Sequence, residues 1–102
     1  MLPTNPQERK ALPIFTGVLD YFPDALLEVA RVSKLGNDQH NPGQPLHWAR
    51  EKSTDQLDSS LRHQMDHRVN PIDTDGGLHL AKACWRLLAE LQLYCESRSV
   101  KT

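Results

Sequence analysis

The sequence carries no glycine-rich phosphate loop, no dinucleotide-binding glycine fingerprint, no nucleophile elbow and no Cys-x-x-Cys pair. Any phosphate site must therefore be built from side chains and helix ends. There are two cysteines, Cys84 and Cys95, in 102 residues. On one helix they stand about 16 Å apart along the axis, far beyond disulfide reach, and they are not spaced as zinc ligands. Both are read as core thiols of a reducing cytosol. No apolar run approaches the ~18 residues needed to span a membrane, so no membrane partner is expected. Residues 1–11 lack the apolar core of an export signal, which points to a cytoplasmic protein. Positive charge is not in excess, with 12 Lys and Arg against 13 Asp and Glu and a net charge of −1, so no direct nucleic-acid binding is expected.

What is present suits one small domain. Hydrophobic residues make up 38% and charged residues 25% of the chain. A chain this short and polar has little apolar surface with which to close a core by itself. A homo-oligomer, dimer or tetramer, is the expectation.

The periodicity predicts an all-α fold, a small bundle of three main helices with an extended N-terminal arm and a long ordered loop. The arm, residues 1–23, holds Pro3, Pro6, Pro13 and Pro23, with at most a short turn near Phe15 to Tyr21. Its apolar residues, among them Ile14, Phe15, Val18, Leu19, Tyr21 and Phe22, are expected to pack on the domain or on a neighbouring subunit. The helical domain covers residues 24–96, and a polar tail, 97–102, is expected to fray. The first helix starts near Pro23, a good first helical residue, with Asp24 favouring the dipole, and Gly36-Asn37 is read as its close. A loop follows over residues 37–53. The second helix starts at Ser53 or Thr54 as N-cap, buries Leu57, Leu61, Met65 and Val69, and stops at Asn70-Pro71. After a turn with Asp73, Asp75 and Gly76-Gly77, the third helix runs from about Gly77 to Glu96. Leu80, Ala83, Cys84, Leu87, Leu88, Leu91 and Tyr94 form its apolar stripe.

Several groups have the residue types that phosphate chemistry needs. Asp55, Asp58, Arg62 and Asp66 share one stripe of the second helix. Asp58 falls in the angular gap between Met65 and Val69, at the edge of the face expected to be buried, so it needs a partner. That partner is a divalent ion such as Mg²⁺, or else a cation such as Arg62. Glu28, at the border of the first apolar face, is a third carboxylate. On the third helix His79, Lys82 and Arg86 make a polar stripe that either bridges acids or clamps phosphate. His63 is a base, a ligand or a structural residue; His67 is read as exposed. In the loop, Asn41, His47, Trp48, Arg50, Lys52 and Ser53 crowd together. Arginine grips phosphate with two prongs, lysine supplies a point charge, and Trp48 offers a stacking face or a core plug.

The run Gly36-Asn37, His40-Asn41-Pro42-Gly43-Gln44-Pro45-Leu46-His47-Trp48-Ala49-Arg50, followed by Leu61-Arg62-His63, Asp73-Thr74-Asp75-Gly76, His79, Ala81-Lys82 and Trp85-Arg86-Leu87-Leu88-Ala89, resembles a family of small phage and bacterial proteins. That family is grouped with the N-terminal domain of phage dATP/dGTP diphosphohydrolases, and the resemblance covers roughly residues 9–96. It implies a helical fold related to MazG-like enzymes, which cut a nucleoside triphosphate into monophosphate and pyrophosphate with Mg²⁺ or Mn²⁺ held by acids on neighbouring helices. It also implies a place in the bacterial host cytoplasm if the chain is phage-encoded. MazG-like enzymes carry Glu-x-x-Glu and then Glu-x-x-Asp. Here the first helix offers only Asp24 and Glu28, and the second offers Asp55-x-x-Asp58, so the metal set is incomplete or differently built. Arg62-His63 and His79 look like signature positions.

The combined expectation is a purine nucleoside triphosphate as substrate. Asp55, Asp58 and Glu28 hold the metal. His63, His79 and Arg62 act on phosphate or water. Asn41, His47, Trp48, Arg50, Lys52, Ser53, Lys82 and Arg86 bind the nucleotide. The alternative is a helical module of phage origin that binds nucleotide without turnover, or one that is structural.

Overall fold

The computed structural model describes residues 1–101, with side chains described through Arg98. Among them are four α-helices and no strand: α1 (Pro6–Lys10), α2 (Pro23–His40), α3 (Gln56–Val69) and α4 (His79–Lys101). A π-helical turn, Phe15–Leu19, lies between α1 and α2. The protein is all-helical. The tail expected to fray ends outside the described residues at Thr102, while α4 itself runs through Lys101. No described helix is long and apolar enough to cross a membrane.

Helix α2 begins with proline at its first position and Asp24 in its first turn, as the sequence predicts. It does not stop at Gly36-Asn37 but runs on to His40. Asn37 is not a left-handed cap. Its buried side chain donates from Nδ2 to the Gln44 carbonyl (3.1 Å), and its Oδ1 accepts from the His47 backbone N–H (3.1 Å). The residue read as a terminator thus pins the following loop against the helix. Helix α3 begins at Gln56, with Asp55 in the capping position, rather than at Ser53 or Thr54. The third main helix starts at His79, two residues beyond the expected Gly77, because the glycines form the turn that precedes it.

Helix α4 is the spine, with α3 and α2 packed on it. The contact is made by small and polar groups. The buried apolar residues are Val32, Ala81, Ala83 and Ala89, and the largest fully buried side chains are Gln56 and Ser60. Ser60 Oγ donates to the Ala83 carbonyl (3.0 Å), tying α3 to α4 where the helices approach closely.

The apolar stripes therefore lie elsewhere than expected. Leu57, Leu61, Met65 and Val69 of α3 are exposed, as are Leu80, Leu87, Leu88, Leu91 and Tyr94 of α4. Cys84 and Cys95, expected in the core, are exposed beside that α4 stripe. His67, read as exposed, is half-buried on the inner face. The arm does not fold back on the helices: Ile14, Phe15, Val18, Leu19, Tyr21 and Phe22 are all exposed. The radius of gyration, 15.6 Å, exceeds the roughly 13 Å of a compact chain of this size. The hydrophobic periodicity is correctly located along the helices, but on α3 the side that packs within the chain is the polar one, and on α4 it is lined by Ala81, Ala83 and Ala89, of which Ala83 alone belongs to the expected stripe.

Candidate functional site

The turn between α3 and α4 places two carboxylates. Asn70 Oδ1 accepts from the Ile72 N–H (3.0 Å), and the Asp73 N–H donates to the Gly77 carbonyl (2.8 Å), closing a tight reversal. Gly76 stands at φ +87°, where side chains other than glycine are strained. Gly77 is buried, and a Cβ there would meet Lys82 Cε at 3.0 Å and Val32 Cγ1 at 3.2 Å, so the turn presses directly on α2. One turn into α4, Lys82 Nζ reaches Asp73 Oδ2 and Asp75 Oδ2, both at 2.7 Å.

The electrostatics follow from that fork. The Lys82 hydrogen bond holds the Asp75 carboxyl down at about 2, and the same donor with the Thr74 N–H lowers Asp73. Burial works to lower the Lys82 pKa, but its bonds to Asp73 and Asp75 win and raise it. All three groups stay charged across the ordinary pH range.

Beside the fork, His79 at the start of α4 is buried, 7% exposed. Its Nδ1 faces His63 Nδ1 of α3 at 3.0 Å and Asp73 Oδ2 at 3.8 Å. A nitrogen pair this close shares one proton, one ring donating and the other accepting. Burial first, then the charges His79 and Lys82 would carry, push the His63 pKa down, which favours the neutral form of its ring.

His63 also lines a cleft of about 770 Å³ between the C-terminal half of α2, the loop, α3 and α4. Into it the structure brings Asn41, His47, Trp48, Lys52, Ser53, His63, Lys82 and Arg86. The indole of Trp48 meets Trp85 edge to face, 5.8 Å between centroids. Arg86 Nη1 donates to Ser53 Oγ (2.8 Å) and to Gln56 Oε1 (3.2 Å). Both acceptors are neutral, and among the described residues no carboxylate pairs with this half-buried guanidinium. Gln56, 1% exposed, turns its Nε2 toward no acceptor at all. A cation and a buried N–H donor left uncompensated beside two indoles form a site that favours an anionic aromatic ligand.

Over residues 6–102 the sequence matches the family described as dATP/dGTP diphosphohydrolase, N-terminal. The chain belongs to this family. No curated protein and no solved structure matches it significantly.

Within this member of the dATP/dGTP diphosphohydrolase N-terminal family, other residues expected at the site stand apart from the cleft. Arg50 lies over Trp48, 4.2 Å from its ring centroid, and is fixed to Glu96 at 2.6 Å. It therefore props the tryptophan instead of lining the cavity. Arg62 pairs with Asp55 (2.9 Å) on the open side of α3. Asp58 is exposed among the apolar stripe, and Glu28 pairs with Arg31 (3.3 Å) on α2. Among the described residues, the one cluster of metal-type ligands within reach of one another is His63, Asp73 and His79, and it does not include Glu28, Asp55 or Asp58. His79 reaches the cleft only through His63. Sequence reasoning passed over Gln56, Asp73, Asp75 and Trp85. The acids were visible as a turn, and their partnership with Lys82, nine and seven residues on, was not.

Proposed function

We propose that the cleft binds a purine deoxynucleoside triphosphate, dATP or dGTP, and that the protein hydrolyses it to monophosphate and pyrophosphate. The observation that carries this reading is the uncompensated Arg86 guanidinium, held by neutral acceptors in a cleft with Lys52, Lys82 and two indoles. The family description supports the choice of nucleotide. In this reading Arg86 and Lys52 bind phosphate oxygens as charge develops on them, Gln56 Nε2 donates to a ligand oxygen, and Trp48 and Trp85 bound the base. His63, bordering the cleft, orients the attacking water or a phosphate oxygen with its ring.

The working form is a homo-oligomer, dimer or tetramer, in which a second copy covers the open stripes of α3 and α4. Support comes from the exposed row of Leu57, Leu61 and Met65 and of Leu80, Leu87 and Leu91.

The test is pyrophosphate release from each dNTP with Mg²⁺ or Mn²⁺, beside nucleotide-induced thermal stabilisation. Arg86→Ala should reduce nucleotide affinity at least about tenfold, the loss of one charge-assisted bond. Release from no nucleotide, with stabilisation retained, would establish the second reading, a nucleotide-binding module without turnover. Among the described residues the cluster of metal-type ligands does not include Glu28, Asp55 or Asp58, which favours that second reading.

A further inference from the structure

A set of ligand atoms apart from the expected acids is gathered in one place. Among the described residues His63, Asp73 and His79 bring one ligand atom each to within 4.8 Å of one another. They come from three successive elements: α3, the turn, and the first residue of α4.

We propose that His63 Nδ1, His79 Nδ1 and Asp73 Oδ2 form a binding site for a divalent transition ion of the zinc type. The two separations made by His79 are close to those of such a site. With bonds of about 2.0–2.1 Å, ligand atoms around a tetrahedral ion stand roughly 3.3 Å apart. Here the nitrogen pair is at 3.0 Å and the nitrogen–oxygen pair at 3.8 Å, one just inside and one just outside that value. The two rings share a single proton, and 3.8 Å is too long for a hydrogen bond from His79 to Asp73 Oδ2, which accepts instead from Lys82. An ion would engage all three atoms at once.

The donor set chooses the ion class. Two imidazole nitrogens and one carboxylate suit zinc and its neighbours, whereas Mg²⁺ prefers oxygen and retains water. Lys82 does not block the site, because its ammonium also bonds Asp75 and the two carboxylates outnumber it by one charge. It and the Thr74 N–H (2.7 Å to Asp73 Oδ1) hold the carboxylate in orientation, as outer-shell partners commonly do. Three protein ligands leave a fourth position, and His63 borders the cleft, so a water or a phosphate oxygen can complete the shell.

The experiment uses the full chain, stripped with chelator, with no nucleotide present, so its outcome is independent of the proposed hydrolysis. Co²⁺ titration should give the visible d–d absorption of a low-coordinate site, saturating at about one equivalent, and Zn²⁺ should bleach it. Zn²⁺ should raise the melting temperature where equal Mg²⁺ does not. His63→Gln and Asp73→Asn should each weaken Co²⁺ binding at least about tenfold. Both ligands are only half-buried, which keeps these variants foldable even if His79→Ala is not. The double change Asp55→Asn with Asp58→Asn should leave Co²⁺ binding unaltered. No Co²⁺ uptake, uptake undiminished in both His63→Gln and Asp73→Asn, or equal stabilisation by Mg²⁺ would overturn the proposal.

Discussion

Helix α3 has two faces, and they are the reverse of what an amphipathic helix usually shows. The inner face, Gln56, Ser60, His63 and His67 at helical spacing, packs within the chain and carries hydrogen bonds to α4 and the cleft. The outer face, Leu57, Leu61, Met65 and Val69, stands open, with Val69 89% exposed. Burial of apolar surface normally drives a helix inward by about 25 cal/mol per Å². A helix that instead buries its polar side uses that side for directed contacts, which fix the positions of His63 and Arg86. The apolar side is left as surface whose burial requires another molecule.

The sharpest contrast is between adjacent residues. Ser60 is 1% exposed, and Leu61 is 56% exposed. Ser60→Leu should overfill the close α3–α4 contact and strip the bond to the Ala83 carbonyl, lowering stability by about 3 kcal/mol in urea denaturation. Leu61→Ser at low protein concentration should change it by less than about 0.5 kcal/mol. Equal effects at the two positions would show that the faces are not distinct.

The outer face is tested by its dependence on concentration. Leu61→Glu combined with Leu87→Glu should weaken self-association at least about tenfold in sedimentation equilibrium, while leaving the far-UV helix signal of the dilute chain intact. A wild-type chain that is monomeric at every concentration removes the second copy from the proposal and leaves the stripes without an occupant.

The faces also explain what could be read in advance. Proline at the first position of α2 and Asn70-Pro71 after α3 mark backbone constraints that act locally, so those limits are legible in sequence. The end of α2 is not, because Asn37 is decided by two bonds to a loop seven to ten residues away. The apolar stripes are legible as stripes, but periodicity carries no information on whether a stripe meets its own chain or another. At the site, the loop cations and Trp48 can be found because their chemistry is dense in sequence. Arg50 is the exception, drawn to Glu96 forty-six residues on. The grouping of Asp73 with His63 and His79 depends on how α3 and α4 lie side by side, which no local spacing encodes.

The smallest expected effect concerns acid, and it too separates the two faces. On the inner side the Lys82 bond holds Asp75 at about 2 against an ordinary 3.8. A carboxyl lowered by folding stabilises the native state fully above its unfolded value, and that contribution is lost as pH falls toward its folded value. The window is therefore about pH 4 down to about pH 2. The Asp75→Asn variant gives up the bond's charge at every pH, so its melting temperature should fall less steeply than that of the wild type across that window, the gap between them narrowing by about 3 °C. Asp58→Asn, on the open face, serves as the control for the mere loss of a carboxylate. If the gap between wild type and Asp75→Asn stays constant from pH 5 to pH 2, the Lys82 fork does not hold the turn, and the placement of Asp73 beside the two imidazoles must rest on the Gly76-Gly77 backbone alone.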